Sequence, residues 1–281
     1  MDSQKFLLLF FLFLFSENLF AQNSTKFSVS SFTTYGKYSD DRDSKALGVY
    51  ATMLNGVQSS YSLGVDVLLL SSKGQGGKFF TQEFIPMRGS WWLGGKWSVS
   101  AHTAFLNEES YKFKYVNAGQ QYDTSYLASR FYFFGGGAMY HLARTQLLTL
   151  SATGSLHEKK IFSQSAHLKF TTEVMGGITG ISSVDVSKTE STQWLYSGKV
   201  QFVYAYQPFL FNVKLMAGKR VFYFDESLLV LFNQREIQTL SLGGGISYYF
   251  SPSLSVSATY ELEKFSQYRI SYFAAGAKYL F

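Results

Sequence analysis

Cysteine is absent from the 281 residues, proline occurs only 3 times, and charged residues make up 16% of the chain. Without cysteine there are no disulfides and no acylated cysteine to anchor a lipoprotein. Soluble domains average about 25% charged residues, so this chain falls well short of that composition. Long apolar runs are missing too. Beyond the N-terminus the longest span only a few residues, such as Val67 to Leu70, whereas a transmembrane helix needs roughly 18 or more. The net charge of +6 is spread along the chain instead of gathered in a basic run, which argues against nucleic acid as a partner.

What is plentiful is aromatic residues, 19% of the chain, and glycine, 24 residues. The N-terminus is a short polar stretch, Met1 to Lys5, followed by an apolar run from Phe6 to Phe15 and then Ser16, Glu17 and Asn18. That run is too short to span a bilayer and reads as a signal peptide, cleaved after Ala21. Removing residues 1–21 takes away Asp2, Glu17 and Lys5, so the +6 of the whole chain becomes about +7.

The rest of the chain has a period of two. From Leu254, the residues Leu254, Val256, Ala258, Tyr260 and Leu262 share one face, and Ser255, Ser257, Thr259, Glu261 and Glu263 share the other. Just before them, Leu240, Leu242, Gly244, Ile246, Tyr248 and Phe250 alternate with Thr239, Ser241, Gly243, Gly245, Ser247 and Tyr249. Ser251-Pro252-Ser253 joins the two runs as a tight turn. Similar turns recur at Asn55-Gly56, Gly94-Gly95-Lys96, Ala143-Arg144-Thr145 and Gln207-Pro208. Between them lie longer polar connections at Lys37 to Ser44, Ser71 to Lys78, Asn107 to Thr124 and Phe224 to Arg235. Short turns alternating with long loops are the pattern of a transmembrane barrel whose turns face the periplasm. The segments FFGGGAMYHLARTQLLTLSATGSLHEK and SLGGGISYYFSPSLSVSATYELEK share the order strand, glycine triplet, aromatic, turn, strand.

The predicted fold is all-β: a transmembrane antiparallel up-and-down β-barrel over residues 22–281, with about 14 strands. If 160–193 is a long loop with its own small hairpin, the count becomes 12. Trp91, Trp92, Trp97, Tyr206, Phe209, Tyr249 and Phe250 flank predicted periplasmic turns, where amphipathic rings form an interfacial girdle.

The chain ends YRISYFAAGAKYLF, placing Phe273, Ala275, Ala277, Tyr279 and Phe281 on one face and Ala274, Gly276 and Lys278 on the other. This ending resembles the C-terminal signal of bacterial outer-membrane barrels. The resemblance implies that the barrel-assembly machinery reads Phe273, Tyr279 and Phe281 and that the mature chain resides among outer-membrane lipid and lipopolysaccharide. In strand order and loop lengths, residues 22–281 also resemble the YaiO-type family of outer-membrane barrels.

No catalytic, cofactor or metal site is expected. Outer-membrane phospholipases and lipid A deacylases resemble one another in a His and a Ser two apart on one strand face. Here Ser155 and His157 have that spacing in reverse order, and the alternation turns both inward, away from lipid. His102 shares a face with Ser98 and Ser100, His167 shares one with Lys169, Thr171 and Glu173, and His141 sits beside Tyr140 at a turn. Scattered in this way, the histidines make no repeated ligand spacing. The cluster Asp40, Asp41 and Asp43 could bind a divalent cation or contact lipopolysaccharide, and it also fits a solvated loop. The glycine triplets lack a following helix to cradle phosphate and fit bends or close packing.

By alternation the lumen receives Arg88, Arg130, Lys159, Lys169, Lys199, Lys214, Arg220 and Lys278, against Asp66, Glu173, Glu261 and Glu263, with His102 and His157 also inward. This excess of positive groups favours anions in a pore. The expectation is a passive channel, with a non-conducting structural or partner-binding barrel as the alternative and a lipid-modifying enzyme third. Deleting Phe281 is expected to impair assembly, read as a reduced amount of heat-modifiable barrel in the outer-membrane fraction; normal levels of the truncated chain would contradict the reading of this residue.

Overall fold

The computed structural model describes residues 25–56, 58–72, 77–115, 122–221, 223–225, 230–232 and 236–281. The segment 1–21, read above as a signal peptide, lies outside them. Alternating sequence builds strands β1 (Thr25–Tyr38), β2 (Arg42–Asn55), β3 (Ser59–Ser72), β4 (Gly77–Gly94), β5 (Trp97–Tyr115) and β6 (Tyr122–Ala143). They are followed by β7 (Gln146–His157), β8 (Lys160–Met175), β9 (Ile178–Thr189), β10 (Leu195–Tyr206) and β11 (Phe209–Arg220). After a short side hairpin, β12 (Tyr223–Asp225) and β13 (Val230–Phe232), come β14 (Gln238–Tyr249), β15 (Leu254–Phe265) and β16 (Arg269–Leu280). Apart from that hairpin, the strands form one closed antiparallel barrel of 14, each paired with its neighbour in sequence. The uncertain stretch 160–193 supplies β8 and β9, which settles the count at fourteen.

Closure joins β1 to β16 in register from Ser28 opposite Leu280 to Tyr38 opposite Ile270. The Phe281 N–H donates to the Phe27 carbonyl at 2.7 Å and finishes the seam. No edge is left, as a bilayer requires of any sheet that crosses it. Side chains then divide by parity. On β11, Phe211, Val213 and Leu215 are exposed outward while Asn212, Lys214 and Met216 turn inward. Val213 is 57% exposed while the polar Asn212 and Lys214 turn inward, the reverse of a soluble fold, in which the apolar side would be covered.

At the end of the barrel that holds Thr25 and Phe281, the turns are short: 95–96, 144–145, 176–177, 207–208 and 250–253. Gly176 and Gly177, with φ of 34° and 85°, make one such turn where L side chains fit poorly. An outward aromatic girdle runs around this end. The Trp91 indole donates to the Tyr61 hydroxyl at 3.1 Å. Trp97 and Tyr140 lie 4.6 Å apart between ring centroids, Phe209 and Tyr248 5.1 Å, and Tyr279 and Phe281 4.7 Å.

The far end departs from the expected long loops. Among the described residues, its connections 39–41, 158–159 and 266–268 are as short as the turns opposite, and 190–194 has only five residues. The stretch 107–124 is mostly strand, with β5 and β6 paired as far as Tyr115 opposite Tyr122. Its polar residues resemble a loop, but Tyr111, Phe113 and Tyr115 alternate and favour the extended backbone.

Val213→Arg, on the outward face near the middle of β11, is expected to destabilise the barrel by about 2–4 kcal/mol. The neighbouring inward change Asn212→Arg is expected to cost less. Equilibrium unfolding from lipid vesicles measures both, and equal costs would contradict the face assignment.

Candidate functional site in the barrel lumen

The most strongly organised part of the interior lies on the wall of β8 to β15. Register places Lys169 opposite Ser183, and Ser183 opposite Lys199, so two lysines flank one serine across three strands. Lys214 and Glu261 sit on β11 and β15, with β14 between them, and both are register partners of Gly243. The Lys214 ammonium reaches over that glycine to Glu261 at 2.6 Å, and the Ser241 hydroxyl donates to the same carboxylate. A Cβ at position 243 would stand 3.1 Å from Lys214 Cε and 3.2 Å from Glu261 Cβ. A side chain at 243 would press on both partners of the ion pair. Above it Arg220 Nε donates to the Gln238 amide oxygen at 2.5 Å, beside irregular register in both β11–β14 and β14–β15. Lys199, Gln201, Asn212, Lys214, Arg220 and Glu261 line a cavity of about 240 Å³ here.

The opposite wall repeats the device. His102 and Thr153 are both register partners of Gly135, and His102 Nε2 lies 2.8 Å from the Thr153 hydroxyl across it. A Cβ at position 135 would fall 2.5 Å from that same Nε2. The two similar glycine triplets thus open two windows through which side chains meet across an intervening strand. Neither forms a phosphate cradle.

Toward the far end the lumen turns apolar. Phe84, Ala104, Leu106, Phe131 and Phe133 from β4, β5 and β6 are buried together with Val221, which follows β11. Phe84 and Phe133 meet edge to face at 6.4 Å. A second cluster, Tyr38, Leu70, Phe265, Tyr268 and Ile270, packs inside the far end beside the seam. Sequence reasoning missed this inward apolar surface because β4 to β6 carry aromatics on both faces. The signal was present in parity alone: Leu106 shares its face with His102 and Ser100, and Phe84 shares its face with Gln82 and Arg88.

Of the residues read as lumen-lining, Arg88 faces inward opposite His102. Lys169, Lys199, Lys214, Arg220 and Glu261 lie along the wall described above, and Lys278 faces inward opposite Ser30, near Phe281. His157 stacks on Phe131 at 4.5 Å, and its Nδ1 donates to the Arg130 carbonyl at 3.0 Å. Two positions are corrections. Arg130 pairs with Asn107 on the outward face, since Ser129, Phe131 and Phe133 take the inward one. Lys159 sits in the turn after β7, where Glu158 and Lys159 have φ of 49° and 65°, and it lines nothing. Phe273 and Tyr279 are exposed on the outer face with Phe281 just beyond β16.

The Ser155–His157 spacing forms no pair. Ser155 shares a hydrogen bond of 2.5 Å with Ser163, and His157 is turned to the backbone. Elsewhere His167 Nδ1 donates to Asp185 at 2.9 Å, and the Ser197 hydroxyl donates to the other oxygen of that carboxylate at 3.5 Å. In the acidic cluster at the first far-end turn, Asp40 and Asp43 are already engaged by protein groups. Asp40 accepts from Arg42 Nε at 2.8 and 2.9 Å, and this guanidinium holds its carboxyl below the usual carboxylate range. Arg42 lies in turn over the rings of Tyr38 and Tyr268 at 4.6 and 4.5 Å, while Asp43 accepts from the Tyr35 hydroxyl. Among the described residues no group of three or more His, Asp or Glu side chains could hold a metal ion.

Comparison with known proteins places this geometry in a class. No family model matches the sequence, and no curated protein matches it. Solved structures do. The Pseudomonas putida toluene transporter TodX aligns with a TM-score of 0.60 at 9% identity, over 93% of this chain and 89% of that one. A Pseudomonas aeruginosa FadL homologue gives 0.56 at 9% identity, over 91% and 89%. The Acinetobacter baumannii outer membrane protein Omp33 gives 0.52 at 13% identity, over 91% and 98%. The chain therefore has the fold of outer-membrane β-barrels.

Gly243→Val is expected to destabilise the barrel by about 1–3 kcal/mol through overpacking against Lys214 and Glu261. Gly198→Ala, where a Cβ would come no nearer than 3.8 Å to the Ser183 carbonyl, is expected to be neutral or stabilising. Thermal unfolding in detergent micelles compares them, and equal midpoints would contradict the role given to the glycine window.

Proposed function

We propose that this chain is an exported bacterial outer-membrane channel for small solutes, with a slight preference for anions. The observation that carries the reading is the inward arc of Lys169, Lys199, Lys214 and Arg220 on β8 to β11 inside a closed barrel. Low-dielectric walls focus the field of such an arc and raise the local concentration of anions. A barrel of 14 strands is wider than the side-chain-filled barrels of about eight and narrower than the 16 to 18 of open porins. An interior of that size narrows to a selective path where side chains enter it.

The same proposal takes residues 1–21 as a signal peptide and Phe273, Tyr279 and Phe281 as the signal read by the barrel-assembly machinery. It places the outward apolar belt in outer-membrane lipid with lipopolysaccharide beside the far end, and it includes the likeness to YaiO-type barrels. One structural neighbour is by its title a toluene transporter. In this chain the inward apolar cluster of Phe84, Leu106, Phe131 and Phe133 is packed on itself and offers an apolar solute no open surface.

That apolar packing also favours a second reading, in which the far mouth is closed and the barrel binds a partner without conducting. Planar-bilayer recordings separate the two. The channel reading expects discrete conductance steps and a reversal potential displaced toward the anion under a salt gradient. It also expects that displacement to shrink in Lys169→Gln/Lys199→Gln. Conductance that never rises above baseline would remove the channel reading, and an undisplaced reversal potential would remove the anion preference.

A further inference from the structure

The cavity of about 240 Å³ on the β10–β15 wall is more than a charged stretch of pore. Three cationic side chains, Lys199, Lys214 and Arg220, line one space together with the amides of Gln201 and Asn212 and the hydroxyls of Ser241 and Thr259. These are nearly all hydrogen-bond donors, and the only carboxylate among the lining residues is Glu261. Its oxygens already take the Lys214 ammonium at 2.6 Å and the Ser241 hydroxyl. Glu263 lies deeper on the same strand face, 3% exposed, within the electrostatic reach of Arg220, Lys214 and Glu261. Arg220 is held in place by its hydrogen bond to Gln238 and is 4% exposed. A positioned guanidinium, two ammonium groups and amide donors around a space of this size match a small oxyanion, which accepts several charge-assisted hydrogen bonds at once.

We propose that this cavity is a saturable binding site for a small oxyanion, in which Glu261 acts as the internal competitor that occupies Lys214 when the site is empty. The inference deepens the channel reading, on which it rests for the route by which the ion arrives. A bound oxyanion takes over the Lys214 ammonium and the Ser241 hydroxyl, and Glu261 must yield them. The two partners of one ion pair therefore act on binding with opposite signs.

Isothermal titration of the full-length protein in detergent micelles with inorganic phosphate and, separately, with acetate tests this against a chloride background. Saturable binding at one site per chain is expected. Glu261→Gln, which keeps shape and removes the competing charge, is expected to tighten binding about tenfold, and Lys214→Gln to weaken it about tenfold. The double variant Lys214→Gln/Glu261→Gln leaves no unpaired carboxylate and guards against misfolding; it is expected to bind more weakly than Glu261→Gln alone. Tighter phosphate than acetate assigns a doubly charged oxyanion, and the reverse assigns a carboxylate. No saturable binding of either anion would overturn the proposal, as would Glu261→Gln and Lys214→Gln shifting affinity in the same direction. Because the titration needs no conduction, binding without conductance would remove the channel and leave the site. Conductance without binding would do the opposite.

Discussion

Inside a bilayer every backbone N–H and C=O must find a partner within the protein, and this barrel meets that demand by pairing its first strand with its last. The seam joins residues separated by almost the whole chain; at its far end the Arg269 N–H donates to the Ser39 hydroxyl at 3.0 Å. With the backbone satisfied all round, the side chains are released to specialise by parity, one face for lipid and one for the interior. The girdle pairs, from Trp97–Tyr140 to Tyr279–Phe281, then fix where the wall meets the interface. At the far mouth the seam is backed by packing, since Tyr38, Phe265, Tyr268 and Ile270 cluster inside it and Arg42 stacks on two of those rings.

The interior meets a second constraint. Neighbouring strands in a sheet lie about 4.8 Å apart, so side chains two strands apart are nearly 10 Å from each other at the backbone. Lys214 and Glu261 meet across that gap because Gly243 leaves it empty, and His102 meets Thr153 in the same way over Gly135. Each glycine gives up strand propensity, and each contact ties three strands together in a region of low dielectric where a paired charge interacts strongly. The result is an interior divided by chemistry: polar groups along β8 to β11, the cations there accompanied by the buried Asp185, and aromatic packing from β4 to β6 toward the far mouth.

Much of the fold was legible in the sequence because its strongest signal, period-two alternation, is also what sets the architecture. Leu254 to Leu262 shows it most cleanly, and the turns at Gly94-Gly95 and Gln207-Pro208 stand where the structure has them. Arg130 failed because Phe131 to Phe134 is aromatic on both parities, so neither face announced itself. The stretch 107–124 failed because charged residues can sit on a paired strand as readily as in a loop. Lys159 failed by position, since a strand end and a two-residue turn look alike until φ is known. The glycine triplets were recognisable as a repeated pattern, but a contact between residues on two different strands needs a register, and register is not written in either strand alone. For the same reason the cavity of Lys199, Lys214 and Arg220 could be read only as an excess of charge.

Lumen, girdle and site all depend on the closure of β1 against β16. A chain without cysteine offers a direct measurement of it. Ser31→Cys with Ala277→Cys places thiols on register partners, whose Cα atoms in an antiparallel pair lie within disulfide range. Oxidation of that pair in intact outer membranes should give a near-complete intramolecular cross-link with altered gel mobility. The pair Ser31→Cys with Phe273→Cys, displaced by four residues, should give none. Equal cross-linking of both pairs, or of neither, would contradict the closed register from which lumen, girdle and site all follow.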